Sequence, residues 1–565
     1  MRKAIFLSVL SAFSFLCAQL HAQTVPVGMA AVEDYYRRMQ LVIKVDTNLS
    51  FSVRPNFAEA LGTDDIFDPE GNLKTQRWGK PAVTTLAQGK ILIKILPLTL
   101  QQQFNSHHPY GWNDGAMIPA KGYQGLVSGG IYLKYGPLSI QLRPDFVYAA
   151  NPEFAGFASG HQVADIANYY RTHTLIDWPE RFGSKSYQKA SLGASSIRLT
   201  FDPVSIGVSN ENVWWGPGIS NALVLTNNAP GFKHITINTV RPIKTIVGHF
   251  EGQIIAGLLD NSGLNALTYQ PEASWIKRSR PYRDERRYFS GYNITYHPKW
   301  VPGLTFGMTR TFNSYYKDNH GFSDFIPFFV PFKKESTEDA AGDPFARDQV
   351  TSLYTRWLFT KAAAEIYFEY GWGDNLFNSR DLVSSPDHSR AYIFGLRKLF
   401  SISGKRDEFI MLGGEITQTS LQPSESTLRA TPTWYKNNDV RQGHTHLGQV
   451  LGAGTGPSGD IQSVTVSWIK GLKRVGVSID RYVHEADYSR VYFPDINGNS
   501  RSWVDLALGL QGEWDYKNII FNAKIQHIKS YNYQWILKDY TPNQYYIPNN
   551  TVYNLHAQLG LTYRF

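Results

Sequence analysis

Few residues in this chain have types and spacing suited to chemistry. In "EIYFEY" (365–370), Glu365 and Glu369 fall on one face of a period-two segment. Paired carboxylates of that kind serve glycoside hydrolysis, so a membrane-embedded hydrolase is one reading. A polar wall balanced by nearby Arg or Lys is the plainer one. His107 and His108 sit beside Pro109, but a metal site needs three or four converging ligands. The densest unusual segment is 211–231, "ENVWWGPGISNALVLTNNAPG". Its glycines and prolines impose a tight, non-repetitive backbone, and its asparagines can bond their own main chain. Indole faces there could stack on sugar rings while amides bond hydroxyls; equally, the loop could fold inward and wedge its tryptophans into a wall. No Gly-x-Ser-x-Gly elbow, His-Glu-x-x-His or phosphate-binding loop occurs. The expectation is a non-enzymatic protein with no cofactor and no metal.

The elements that must position these residues are strands. "LTFGMT" (304–309), "NIIFNAKIQ" (518–526) and the final "TVYNLHAQLGLTYRF" (551–565) alternate apolar with polar residues, the period-two pattern of a two-faced strand. Such segments recur from residue 88 to the end. Short turns fall near 136–137, 202–203, 241–244, 298–302, 360–362, 402–406, 470–473 and 515–517, and much longer loops alternate with them. This regular segregation predicts an all-β fold: a transmembrane antiparallel up-and-down barrel of about 18 strands over 88–565, with long extracellular loops. Closure requires the last strand to pair with the first, placed at 90–104, so that no edge stays open. The terminal aromatic strand resembles the signal read by the barrel-assembly machinery.

Ahead of the barrel, "AVEDYYRRMQLVIK" (31–44) places Val32, Tyr35, Tyr36, Met39, Val42 and Ile43 on one helical face, with Glu33, Arg37 and Arg38 elsewhere. "SFSVRPNF" (50–57) adds a short extended piece. Residues 23–87 are read as a small periplasmic or barrel-plugging segment. Residues 1–22 combine Arg2 and Lys3, an apolar stretch and Ala22 in the manner of a secretory signal peptide. It contains Cys17, the only cysteine, so the mature chain has no thiol chemistry. With Arg2 and Lys3 removed, 54 of the 56 basic residues remain against 47 acidic ones, a net charge of +7. That excess is too small for nucleic acid and suits an acidic glycan or lipid head groups. Tyr 33, Phe 32 and Trp 14 fit aromatic girdles in contact with outer-membrane lipids.

"NVWWGPGISNALVLTNNAPG", followed by "RPI" at 241–243, resembles the Wzi-type capsule assembly family of outer-membrane barrels, in which a Trp-Gly-Pro-Gly element precedes an Asn-Ala-Pro-like one. The chain departs from that family in its larger loops and in "NNAPGFKH", where a more proline-rich string is expected. The resemblance implies a lectin-like surface protein of the Gram-negative outer membrane, its barrel occluded, that helps attach exported polysaccharide. A channel for small solutes is the alternative. Lumen-side Arg143, Arg198 and Lys524 would suit an acidic glycan. The candidate polysaccharide-binding residues are Asn212, Trp214, Trp215, Asn227 and Asn228, followed by Arg241, Glu251 and Gln253.

Overall fold

The computed structural model describes residues 23–267, 283–329, 347–373, 389–405, 407–421, 434–493, 502–536 and 551–565. Residues 1–22, read above as a signal peptide and carrying Cys17, lie outside them. The chain forms a closed antiparallel barrel of 18 strands. The first strand, Ile91–Asn105, pairs with the last, Val552–Tyr563, from Leu98 opposite Tyr563 to Asn105 opposite His556. Two wall segments are interrupted: Leu138–Leu142 resumes as Asp145–Ala149, and Tyr187–Ser191 as Ser196–Phe201. All eight expected short turns join neighbouring strands at one end of the barrel.

Alternation decides which face meets lipid. In Trp503–Tyr516, Leu506, Leu508 and Leu510 are exposed on the outside, while Asp505 and Ala507 are buried in the lumen. The same division holds for Val475, Val477 and Ile479 against Ser478 and Asp480. An apolar outer band with a polar interior is what a bilayer demands of a barrel. Among the described residues no helix is long and apolar enough to cross a membrane.

The N-terminal segment fills the lumen toward the short-turn end. Helix α1 (Ala30–Leu41) buries Val32, Tyr35, Tyr36 and Met39 against Phe51, Leu61, Phe67 and wall residues Leu96, Tyr132 and Ile520. It ends earlier than its apolar pattern suggests. Val42 is the C-cap, and Ile43, with a φ of 60°, is 67% exposed rather than packed. The polar face is buried as well: Arg37 and Arg38 are only 4% and 0% exposed. A helix inside a barrel has no solvent side, so its charges meet the charged lumen wall. The extended piece Val53–Arg54 pairs with Trp214–Trp215, tying this segment to the loop that follows the strand at 204–209.

Candidate functional site

The 211–231 loop folds into the lumen. Gly216 N donates to Ser52 O and Trp215 N to Leu225 O. Gly216 adopts φ +132°, and a Cβ there would lie 2.8 Å from Glu369 Oε2, so the glycine after the tryptophans is dictated by the turn and by the crowded wall. Glu415 anchors the next residues. Its carboxylate accepts the backbone N–H groups of Ile219 (2.7 Å), Ser220 (3.0 Å) and Asn221 (2.8 Å), and the Tyr367 hydroxyl (2.7 Å).

A second loop, 434–456, locks over the first. Tyr435 Oη donates to Leu223 O, Asn228 Nδ2 to Val450 O, and Thr226 N to Leu451 O. His444 Nε2 lies 2.7 Å from Val224 O. A third loop joins them where Asn113 Nδ2 donates to Ser220 O and Asn227 Nδ2 to Asn113 O. Apolar residues of the first two loops, Trp215 and Trp434 among them, form one cluster with wall residues Phe289 and Ile393. The lumen is thus occupied in two layers, the interlocked loops and the N-terminal segment.

The second layer is held by charge. Glu365 accepts from Arg37 (Nε, 3.1 Å) and Arg356 (Nε, 2.6 Å), and Arg397 lies 3.7 Å away. Asp34 receives Arg38 and Arg397 at 2.7 and 2.9 Å, with Arg474 at 3.7 Å. Burial alone would lift the Asp34 carboxyl, but these guanidinium groups outweigh it and hold it well below the usual range. The acids that suggested hydrolysis are therefore committed to structure. Glu365 is saturated by arginines, and Glu369, completely buried, accepts Leu223 N at 3.3 Å. His107 and His108 pack against each other and against Tyr533.

The eight candidate residues separate. Trp215 is buried and donates its indole N–H to Gln253 Oε1 at 2.8 Å, and Gln253 in turn donates to Thr236. Trp214 carries the Arg54 guanidinium 4.1 Å over its ring. Asn212 bonds Asn227 and Ala229 O. Glu251 accepts Ser50 N at 2.7 Å and so also holds the N-terminal segment. Arg241 is not brought to this group. It pairs with Asp202 on exposed turns at the short-turn end. Of the proposed lumen cations, Arg143 donates to Thr99 and Arg198 pairs with Glu211 at 2.8 Å.

Space remains between the layers. Two adjoining cavities, each of about 310 Å³, share Gly28, Trp112, Asn113, Asn227, Gln511 and Lys524. Trp214 lines one of them. Asp114 projects into the other, where burial lifts its carboxyl to about 6 against the pull of Gln103, Lys524 and Gln558. Sequence reasoning missed this chamber, because its lining comes from the N-terminal segment, two loops and opposite walls.

A sequence model described as "Capsule assembly protein Wzi" matches residues 118–531. The chain belongs to the Wzi capsule assembly family. As a member it is a Gram-negative outer-membrane barrel. No curated protein sequence matches it significantly. Among solved structures it is similar to Wzi of Escherichia coli, described as an outer membrane protein involved in group 1 capsule assembly and a carbohydrate-binding β-barrel. The TM-score is 0.57 at 12% identity, covering 96% of this chain and 99% of that one. OccAB1 of Acinetobacter baumannii gives a TM-score of 0.39 at 8% identity, covering 86% and 99%. A BenF-like porin of Pseudomonas fluorescens Pf-5 gives 0.36 at 8%, covering 83% and 98%. The Wzi-family resemblance first carried by the Trp-Trp-Gly-Pro-Gly segment thus extends over most of the chain.

Proposed function

We propose that this Wzi-family barrel holds exported capsular or exopolysaccharide at the cell surface as a lectin-like protein without catalysis. The observation that carries the reading is the double filling of the lumen. Interlocked loops 211–231 and 434–456 stand toward the loop end, and the arginine-braced α1 toward the short-turn end. A polymer cannot thread such a barrel, so the long outer loops are the parts left to meet it. The buried pairing of Glu365 and the burial of Glu369 argue against hydrolysis. In this reading residues 23–87 form a plug on the periplasmic side. The apolar outer band contacts membrane lipid, and the C-terminal strand is what the barrel-assembly machinery engages. Asn212, Trp214, Trp215, Asn227, Asn228, Glu251 and Gln253 shape and support the site from within, and Arg241 takes no part.

The test is glycan retention. Deleting the gene should release polymer from the cell surface into the medium, and re-expression should return it. Polymer that stays on the deleted cells would reject the proposal.

A further inference from the structure

One long loop does not rise away from the barrel. After the strand Leu304–Tyr315 the chain passes through Tyr316–Asp318 and a helical turn at Phe322–Phe325, then runs back along the outside of the wall. Two tyrosines of the neighbouring strand, Arg287–Pro298, mark its course. Tyr288 Oη donates to Phe325 O at 2.7 Å, and the two rings meet edge-on at 5.1 Å. Tyr292 meets Phe328 edge-on at 5.5 Å, and Phe328 also lies 6.5 Å from Phe312. Phe289, between the tyrosines, points the other way into the lumen cluster. The loop therefore lies on the face of the wall that bears exposed Ile294.

Beneath it lies a charge that a lipid face does not tolerate bare. Arg310 stands directly opposite Tyr292 and so on the outer face, yet it is only 2% exposed. It donates to Gln349 Oε1 at 2.6 Å and lies 4.7 Å over the Phe312 ring. An arginine on the lipid face of a barrel is disfavoured, most at mid-bilayer and less toward the edges. In water the guanidinium would be solvated freely, so a cover of phenylalanine rings matters only against lipid. Tyr292 lies six residues from Pro298, where its strand meets a short turn, about 20 Å along a strand. Strands tilt, so its height is less than that, inside an apolar band about 25 Å tall.

The far side of the loop is apolar: Phe322 is 81% exposed and Ile326 40%. Its charges are engaged elsewhere, Asp318 with Arg283, Lys317 with Glu285 and Asp324 with Arg347. We propose that residues 322–328 form a strap inserted among the lipid acyl chains of the leaflet on the long-loop side, sealing Arg310 against the wall. The strap continues the outer band of Ile294, Phe306 and Leu353, each close to half exposed, and that continuity names lipid as its partner. Phe322 and Ile326 offer a glycan no hydrogen bond. The polar run Lys317, Asp318 and His320 ahead of them marks the head-group boundary. One of the long loops thus anchors the barrel in its membrane instead of reaching toward polymer.

Spin labelling of the full-length protein in phosphatidylcholine–phosphatidylglycerol vesicles tests the strap. Cys17 is the only cysteine, so in a Cys17→Ser background Phe322→Cys and Ile326→Cys each carry a single nitroxide. Leu353→Cys marks the lipid-facing wall and His320→Cys the water side. The label at 322 should collide with oxygen in preference to a water-soluble nickel chelate. Its oxygen-to-nickel ratio should match that at 353 and exceed that at 320 by ~10-fold, because a polar chelate is excluded from hydrocarbon. Heat-modifiable migration in gels reports folding, and if Phe322→Cys does not fold, Ile326→Cys decides in its place. A ratio like that at 320 overturns the proposal. Spin–spin broadening that disappears on dilution with unlabelled protein also overturns it, by placing a second copy on this surface. If the chelate reaches the label at 353 as well, the lipid-facing band fails and the strap with it. Surface retention of polymer is read separately, on cells that lack the gene.

Discussion

Arg37 on α1 reaches Glu365 on the barrel wall, 328 residues away in sequence, with Nε 3.1 Å from Oε1. The contact is one arm of a carboxylate that also serves Arg356 and Arg397. Removing the acid leaves guanidinium groups facing one another in a water-poor space, the situation in which breaking a buried pair costs about 3–5 kcal/mol. Glu365→Ala should therefore loosen α1 while the strand ladder stays intact. Trypsin should then cut at Arg37 or Arg38, which are buried in the parent protein, while the barrel stays folded. Equal resistance in both would show that the helix is held by its apolar face alone.

The loop layer has its own pin. Glu415 gathers three consecutive backbone N–H groups and the Tyr367 hydroxyl. Glu415→Gln keeps the shape but turns an amide N–H toward groups that are themselves donors. The expected loss is about 1–3 kcal/mol, read as a lower thermal midpoint. Planar-bilayer recordings should show parent protein with little current and the variant with intermittent openings as residues 216–221 come away. Steady porin-like current from the parent would contradict the occluded lumen directly.

How much of this was legible beforehand depends on the range over which each constraint acts. Strand faces were readable because lipid and lumen impose a two-residue period, and Leu506, Leu508 and Leu510 declare it locally. The pairing of first and last strands followed from the need to close an edge. The fate of 211–231 was readable only as two options, because inward folding is decided by Glu415 and Tyr435, roughly two hundred positions away. The helix at 30–41 was readable on its apolar face but not in the partners of its charges. Its charged face looks solvated to a rule written for water outside a globule, whereas here it opposes a lumen wall of Glu365 and Arg397. The early stop before Ile43 carries no glycine or proline to announce it. Arg241 follows the recognised motif in sequence, yet the strand between them carries it to the opposite end of the barrel.

That separation distinguishes packing from binding. Trp215→Phe removes the indole N–H that Gln253 accepts at 2.8 Å, leaving a buried acceptor without its donor, and should cost about 1–3 kcal/mol. Trp215→Ala should cost about 3–5 kcal/mol through the cavity it leaves. Arg241→Ala breaks an exposed pair with Asp202 and should cost no more than ~0.5 kcal/mol. Chemical denaturation of the three variants gives this order. A destabilised Arg241→Ala beside a neutral Trp215→Ala would invert the assignment of roles.

The long loops carry an acid-sensitive clasp. Glu485, at the start of helix α3 (Ala486–Tyr492), accepts from His173 at 2.6 Å, at the end of helix α2 (Val163–His173), and from Lys436 at 3.3 Å. Burial opposes the carboxylate, but His173 and Lys436 prevail and bring it down to about 2. Burial also pushes His173 down. A carboxyl depressed in the folded protein contributes its full stability above its ordinary value of 4.5 and loses it as pH falls toward about 2. Cleavage within the 434–456 and 485–493 loops by pepsin should accordingly rise as pH is lowered from 4.5 to 2, more steeply than cleavage at the short turns. Glu485→Gln should show the raised loop cleavage already at pH 4.5, with little further dependence on acid. If the variant and parent follow the same pH curve, the clasp is not what holds the two helices together.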